Sequence, residues 1–167
     1  MTAPADTSFA PETHMGRLEL RVRDMGTQLD YYTRGIGLVP LSEEPGAITL
    51  GHQGKPIVRL TESKDLRPAS PGSAGLFHTA VLYDQAPDLA RTLVSMYRNF
   101  GDTHVGTGDH DVSQAFYFTD PEGNGVELYV DRPRETWRWS GDRVFMTTEY
   151  IDPSAFVREH LPTGAFD

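Results

Sequence analysis

The sequence predicts an α+β fold, two tandem βαβββ modules forming a cupped mixed sheet, and three observations carry that reading. Residues 17–23 alternate strictly, with Leu18, Leu20 and Val22 on one face and charged side chains on the other, the pattern of a half-buried strand. A helix-like stretch follows, and the same order of elements restarts after a Pro/Gly/Ser-rich break at residues 68–75. Both first strands end in an aspartate, Asp24 and Asp84, directly before the helix. Such self-similarity marks one supersecondary unit used twice.

Taken in order, residues 1–12 are polar and rich in Pro and Ala, a flexible N-terminus without the charged-then-apolar layout of a secretion signal. The first module, 13–67, opens with the strand at 17–23. Residues 26–35 form its helix, facing Leu29, Tyr32 and Tyr31 inward and stopped by Gly35 and Gly37. Short strands are expected at 38–41, 47–50 and 56–61, separated by Gly and Pro. The second module, 76–131, repeats this. A strand at 76–83 leads to a helix at 86–99 with Leu89, Leu93, Met96 and Tyr97 at helical spacing, then to strands at 103–105, 114–119 and 125–130. Residues 132–167 lose the strand period and read as a C-terminal arm, with a short helix at 153–160 behind Pro153.

Bulk properties narrow the chemistry. The 167 residues contain no cysteine, which excludes disulfides, thiolate metal sites and cysteine nucleophiles. Any metal must be held by His, carboxylate or water, a set suited to iron(II), manganese(II), nickel or zinc. A net charge of −9 without a basic stretch argues against a nucleic-acid partner. No run approaches the ~18–20 apolar residues of a membrane span, so no membrane partner is expected and the cytoplasm is the expected location.

The strongest local signal is Asp120-Pro-Glu-Gly-Asn-Gly-Val-Glu-Leu-Tyr129. Its Gly-rich turn closes a hairpin, and Glu127 then sits in the middle of an apolar strand. A carboxylate there is costly to bury unless it is paired or bound to a metal; the plainer alternative is an exposed Glu on an edge strand. His78 opens the apolar strand Leu-Phe-His-Thr-Ala-Val-Leu, where a lone His is more often a hydrogen-bonded core residue than a ligand. It gains weight through Glu127. First and last strands of a βαβββ module are neighbours, so both side chains can face one cavity, and His plus carboxylate suits a Lewis-acid metal.

These residues resemble the metal motifs of the vicinal-oxygen-chelate superfamily, which includes glyoxalases, bleomycin-resistance proteins and extradiol dioxygenases. Thr13-His14-Met-Gly16, Gly75-Leu-Phe-His78, Gly108-Asp-His110-Asp-Val-Ser113 and Asp131-Arg-Pro-Arg134 resemble the catechol 2,3-dioxygenase branch in particular, over residues 13–139. The Asp-Pro-Glu-Gly-Asn-Gly hairpin is common to the superfamily, whereas the Asp-His-x-Val-Ser and Asp-Arg-Pro-Arg stretches are more specific to that branch. The resemblance implies a non-haem iron(II) site with two histidines and one carboxylate around a single cavity. His78 and Glu127 fill two of those positions. Strict register puts the third at Arg17, whose guanidinium cannot coordinate a cation. The resemblance favours His14, within the shared Thr-His-x-Gly, with Glu19 as the rival.

It further implies that Tyr117, ten residues before Glu127, stands beside a bound catecholate; as a residue between Phe116 and Phe118 it reads equally as a core aromatic. His110 resembles the family's second-sphere histidine once a gap is allowed, against the reading of a plain loop His. The acid–base histidine expected late in the first module has no match in register, where Lys55 falls, and His52 is the nearby imidazole. His104 and His160 lack a motif and read as surface residues. Arg17 and Arg59 are candidates for a substrate carboxylate or else solvated charges.

The implied activity is that of a type I extradiol catechol dioxygenase, inserting both atoms of O2 into a catechol. The short two-module format is similar to that of single-cavity members that open L-DOPA by 2,3-cleavage. A homodimer is the expected assembly. Two alternatives use the same scaffold: a glyoxalase-type isomerase or thiol transferase on the same metal, and a metal-free drug-binding module similar to bleomycin-resistance proteins. Isomerases of the superfamily typically use a fourth protein ligand on the last strand of the first module, here residues 56–62, where Arg59 stands at the centre and Glu62 only at the end.

Overall fold

The computed structural model describes residues 13–68, 70 and 74–162. The lead-in read over 1–12, part of the 68–75 break and the last five residues lie outside the described residues.

The alternation at the start of the chain becomes β1 (Leu18–Val22), with Leu20 and Val22 buried. Asp24 then caps α1 (Met25–Asp30), its carboxylate accepting from Thr27 N at 3.0 Å, as short polar side chains do at helix starts. The helix widens into a π-helical turn over Tyr31–Gly35. The turn buries both Tyr31 and Tyr32 and brings Gly35 against the second helix. Strands β2 (Val39–Glu44), β3 (Ala47–His52) and β4 (Lys55–Glu62) follow as antiparallel hairpins. The last returns to lie parallel to β1, giving the sheet order β1-β4-β3-β2.

The second module repeats the plan. Strand β5 (His78–Tyr83) leads to α2 (Ala86–Phe100), whose Leu89, Ala90, Leu93 and Met96 form one fully buried stripe. Strands β6 (His104–Asp109), β7 (Ser113–Thr119) and β8 (Gly125–Asp131) complete a sheet of order β5-β8-β7-β6, with β5 parallel to β8. The inward faces of both sheets and the helices share one apolar core, joining Leu20, Val22 and Leu60 of the first module to Leu93, Phe116 and Leu128 of the second.

Modules are also tied by the β7–β8 hairpin. Glu122 Oε1 accepts from Arg23 N at 2.7 Å and Asp24 N at 3.0 Å, holding the end of β1. His104 differs from its sequence reading: it is half-buried against Tyr97 and Phe118, ring centroids 5.3 and 5.4 Å away, and burial lowers its pKa. His160 packs 4.4 Å from the Phe156 ring.

The arm contains a small hairpin that the sequence pattern does not announce, β9 (Trp139–Ser140) with β10 (Arg143–Val144), only two residue pairs long. Beyond it the chain runs beside β6 through an antiparallel bridge between Asp109 and Glu149. Helix α3 (Pro153–His160), capped by Asp152, then sets Phe156 against Phe116, ring centroids 4.9 Å apart. Among the described residues no helix is long and apolar enough to cross a membrane.

Candidate active site

Strand alternation decides which side chains can meet. On β8, Val126, Leu128 and Val130 are buried under the helices, so Glu127 points to the opposite face. On β7 the same logic buries Phe116 and Phe118 and turns Tyr117 outward, directly opposite Glu127 in the register. Ala80 of β5 pairs with Glu127 on its other side, so His78, two residues earlier, shares that face. Gly125 lies opposite His78; a side chain there would come within 2.4 Å of the Phe77 carbonyl, which explains the glycine closing the hairpin motif.

A chain of polar contacts results. His78 Nε2 lies 2.9 Å from Glu127 Oε2, and Tyr117 Oη donates to Glu127 Oε1 at 2.9 Å. His110 Nε2 is 2.9 Å from Tyr117 Oη, while its Nδ1 meets the Thr147 carbonyl at 2.8 Å. The Glu127 side chain is 12% exposed and has a partner on each oxygen, which offsets much of the cost of burying a carboxylate. Burial raises the pKa of Tyr117, and its bond to Glu127 and that carboxylate's charge raise it further. Tyr117 is therefore a neutral phenol at physiological pH, a donor and relay rather than a base.

Two arginines of the arm hold the His110 loop. Arg132 forms a two-pronged pair with Asp109, at 2.5 and 2.6 Å, and Arg138 another with Asp111, at 2.9 and 2.7 Å. Both pairs lower the carboxylate pKa, the arginine hydrogen bond being the largest cause in each. The Gly-Asp-His-Asp-Val-Ser stretch is thus clamped by Arg132 of the Asp-Arg-Pro-Arg stretch and by Arg138 beyond it.

The other sequence candidates lie elsewhere. His14, Arg17 and His52 line a groove of 1170 Å³ at the seam of the modules, with Lys55, Val81 and Asp84. Arg17 pairs with Glu19 at 2.5 Å, and Arg59 with Glu44 at 2.8 Å, Thr49 lying within 3.4 Å. Among the described residues no three His, Cys, Asp or Glu side chains converge on one point, so neither His14 nor Glu19 joins His78 and Glu127 here. The pair offers an imidazole nitrogen and a carboxylate oxygen at one spot, a donor set that suits a first-row divalent metal. Sequence reasoning missed Thr147, which meets His110 through its main chain, and read Gly108 only as part of a motif, without its place under the His110 ring. A glycine inside a strand is the signal that marks such a close approach.

The family profile of the Glyoxalase/Bleomycin resistance protein/Dioxygenase superfamily matches residues 14–128. The chain is 32% identical over 156 residues to a protein named catechol-2,3-dioxygenase from Bacillus subtilis (strain 168), covering 92% of this chain and 54% of that protein. It is 33% identical over 84 residues to biphenyl-2,3-diol 1,2-dioxygenase 2 of Rhodococcus globerulus, covering 50% of this chain and 44% of that one. The chain thus spans about half the length of the curated relatives it matches. Among solved structures, a glyoxalase/dioxygenase from Nostoc punctiforme superposes with a TM-score of 0.61 at 19% identity, over 78% of this chain and 100% of that one, a likeness of fold alone. Fold, motif and sequence agree, and the chain belongs to the glyoxalase/bleomycin resistance/dioxygenase (vicinal-oxygen-chelate) superfamily.

Proposed function

We propose that the protein is an extradiol ring-cleaving dioxygenase that uses non-haem iron(II) to insert both atoms of O2 into a catechol, with 2,3-cleavage of L-DOPA as the specific reaction. The observation that carries this reading is the contact chain His78–Glu127–Tyr117–His110 on one sheet face. It is supported by the names of the two dioxygenase relatives. His78 Nε2 and Glu127 Oε2 are the proposed metal donors, with His14, ahead of Glu19, assigned as the third on the resemblance alone. Bound iron(II) supplies Lewis-acid polarisation of a chelating catechol and a path for electrons between ring and dioxygen.

The chain's own residues then handle protons and position. Glu127 Oε1 remains tied to Tyr117, which fixes the carboxylate's orientation as outer partners of metal ligands do. Tyr117, kept neutral by its surroundings, has one proton, and turning it from Glu127 Oε1 to a substrate oxygen beside it would give that oxygen a hydrogen bond. His110 Nε2 exchanges a proton with Tyr117 Oη across 2.9 Å, within the reach a general acid–base needs. His52, in the separate groove, is a weaker candidate for that role. Arg17 and Arg59, the candidates for a substrate carboxylate, each have an acidic partner to exchange for it. The proposed partners are a catechol and O2, and the proposed assembly is a homodimer.

Anaerobic reconstitution with iron(II), followed by oxygen uptake on a panel of catechols including L-DOPA, tests the proposal. A yellow ring-opened product formed with one O2 per catechol is the expected result. Tight catechol or drug binding independent of iron, with no oxygen consumed, would sink it in favour of the metal-free binding module.

A further inference from the structure

We propose that Gly108 and the main-chain carbonyl of Thr147 form a seat that fixes the His110 imidazole in one orientation and one tautomer, with Nε2 always turned to Tyr117. Both are positioning residues; their importance for turnover rests on the dioxygenase reading, whereas the seat itself does not.

A carbonyl oxygen only accepts, so the 2.8 Å contact from Thr147 requires a proton on His110 Nδ1. Nε2 is then the nitrogen left to face Tyr117 Oη. Tyr117 has one proton and two neighbours. With Nδ1 protonated, Nε2 of the neutral ring is an acceptor like Glu127 Oε1, so the hydroxyl proton has two acceptors to serve and a bond given to one is withdrawn from the other. The single hydroxyl proton therefore links the two ends of the chain, and the link exists only while the ring stays where it is.

On its other side the ring lies over Gly108. A Cβ at that position would stand 2.8 Å from both Nε2 and Cε1 of His110, closer than real contacts allow. Gly108 is buried inside β6 and its backbone is not left-handed, so alanine fits the main chain, and the three atoms nearest its Cβ all belong to the imidazole. The loop cannot retreat to relieve that collision. His110 N donates to Ser113 O at 2.9 Å, Asp111 N donates to Asp109 Oδ1 at 2.9 Å, and Arg132 and Arg138 grip the aspartates on either side. The arm carrying Thr147 is anchored by the paired main-chain bonds between Asp109 and Glu149, 2.8 and 3.0 Å.

Nitrogen-15 NMR of the imidazoles in the metal-free full chain reads the tautomer directly. The wild type should show His110 with a protonated, slowly exchanging Nδ1. Gly108→Ala should lose that signature while circular dichroism holds, and its kcat in the reconstituted enzyme should fall about 10²-fold with KM for catechol unchanged. Glu149→Pro, which removes one anchoring N–H, should also lose the signature, whereas Glu149→Ala should keep it. A wild-type His110 with a bare Nδ1 would overturn the proposal, as would a Gly108→Ala protein that retains both signature and kcat. A fixed tautomer lost in Gly108→Ala, in a protein that opens no catechol, would uphold the seat and remove the dioxygenase reading alone.

Discussion

Tyr117 stands between a carboxylate and an imidazole with a single proton to give, and its raised pKa keeps that proton in place. Replacing it with phenylalanine keeps the ring on its half-buried face and removes only the relay. Tyr117→Phe should therefore fold with unchanged circular dichroism and lose about 10²–10⁴-fold in kcat by oxygen uptake, the usual scale of a proton-transfer group. At this scale the sequence is informative where a residue violates its surroundings. Glu127 was legible because a carboxylate in an apolar strand demands a partner, and His78 became meaningful once strand neighbours were counted. His110 needed a gap in the alignment, and the structure supplies the reason. The loop after β6 contains Asp111 in a left-handed conformation, φ +71, so the strand register does not carry through it. Thr147 was invisible, since a main-chain carbonyl leaves no trace in residue identity. For the third metal donor, β1 begins at Leu18, so His14 precedes the strand whose register was used to place it.

Among the elements, the clamp of the arm on the His110 loop makes the clearest physical demand. Arg132 lowers the pKa of Asp109 below its unfolded value, so the unfolded chain binds more protons in acid. The stabilisation is complete above the ordinary Asp range, about pH 4, and is lost as pH falls through the lower folded value. Arg132→Ala should cost about 1 kcal/mol or less at pH 7, the pair being partly exposed, and should flatten the acid-side loss of stability; urea midpoints at pH 7 and pH 3 measure both. Strands and helices were readable from alternation and helical spacing to within a few residues of their observed ends. The inward Tyr31 and Tyr32 were readable, but the π-helical turn that carries them was not, because a change from a 3.6-residue period over five residues leaves no distinct pattern. Nor was the β9–β10 hairpin, too short to establish an alternation.

Across the whole molecule, two copies of one unit share a core, and the seam between them depends on close approach. A Cβ on Gly35 would lie 2.8 Å from Met96 Sδ and 2.9 Å from the Phe100 ring. Gly35→Ala should therefore lower stability by about 1–3 kcal/mol through overpacking, read as a shift in the urea midpoint with an unchanged slope. The repeat itself was visible in the order of elements and in Asp24 and Asp84. How the modules face one another was not, because it depends on the shapes of helix surfaces and on the Glu122 contact with the other module's backbone.

All of the proposed chemistry rests on the proposal that His78 and Glu127 share one ion, and counting iron(II) bound under anaerobic conditions addresses that most directly. The account predicts one tightly held iron per wild-type chain, with none retained by His78→Ala or Glu127→Ala while both variants keep the native circular dichroism. Iron bound equally well by either variant would contradict it.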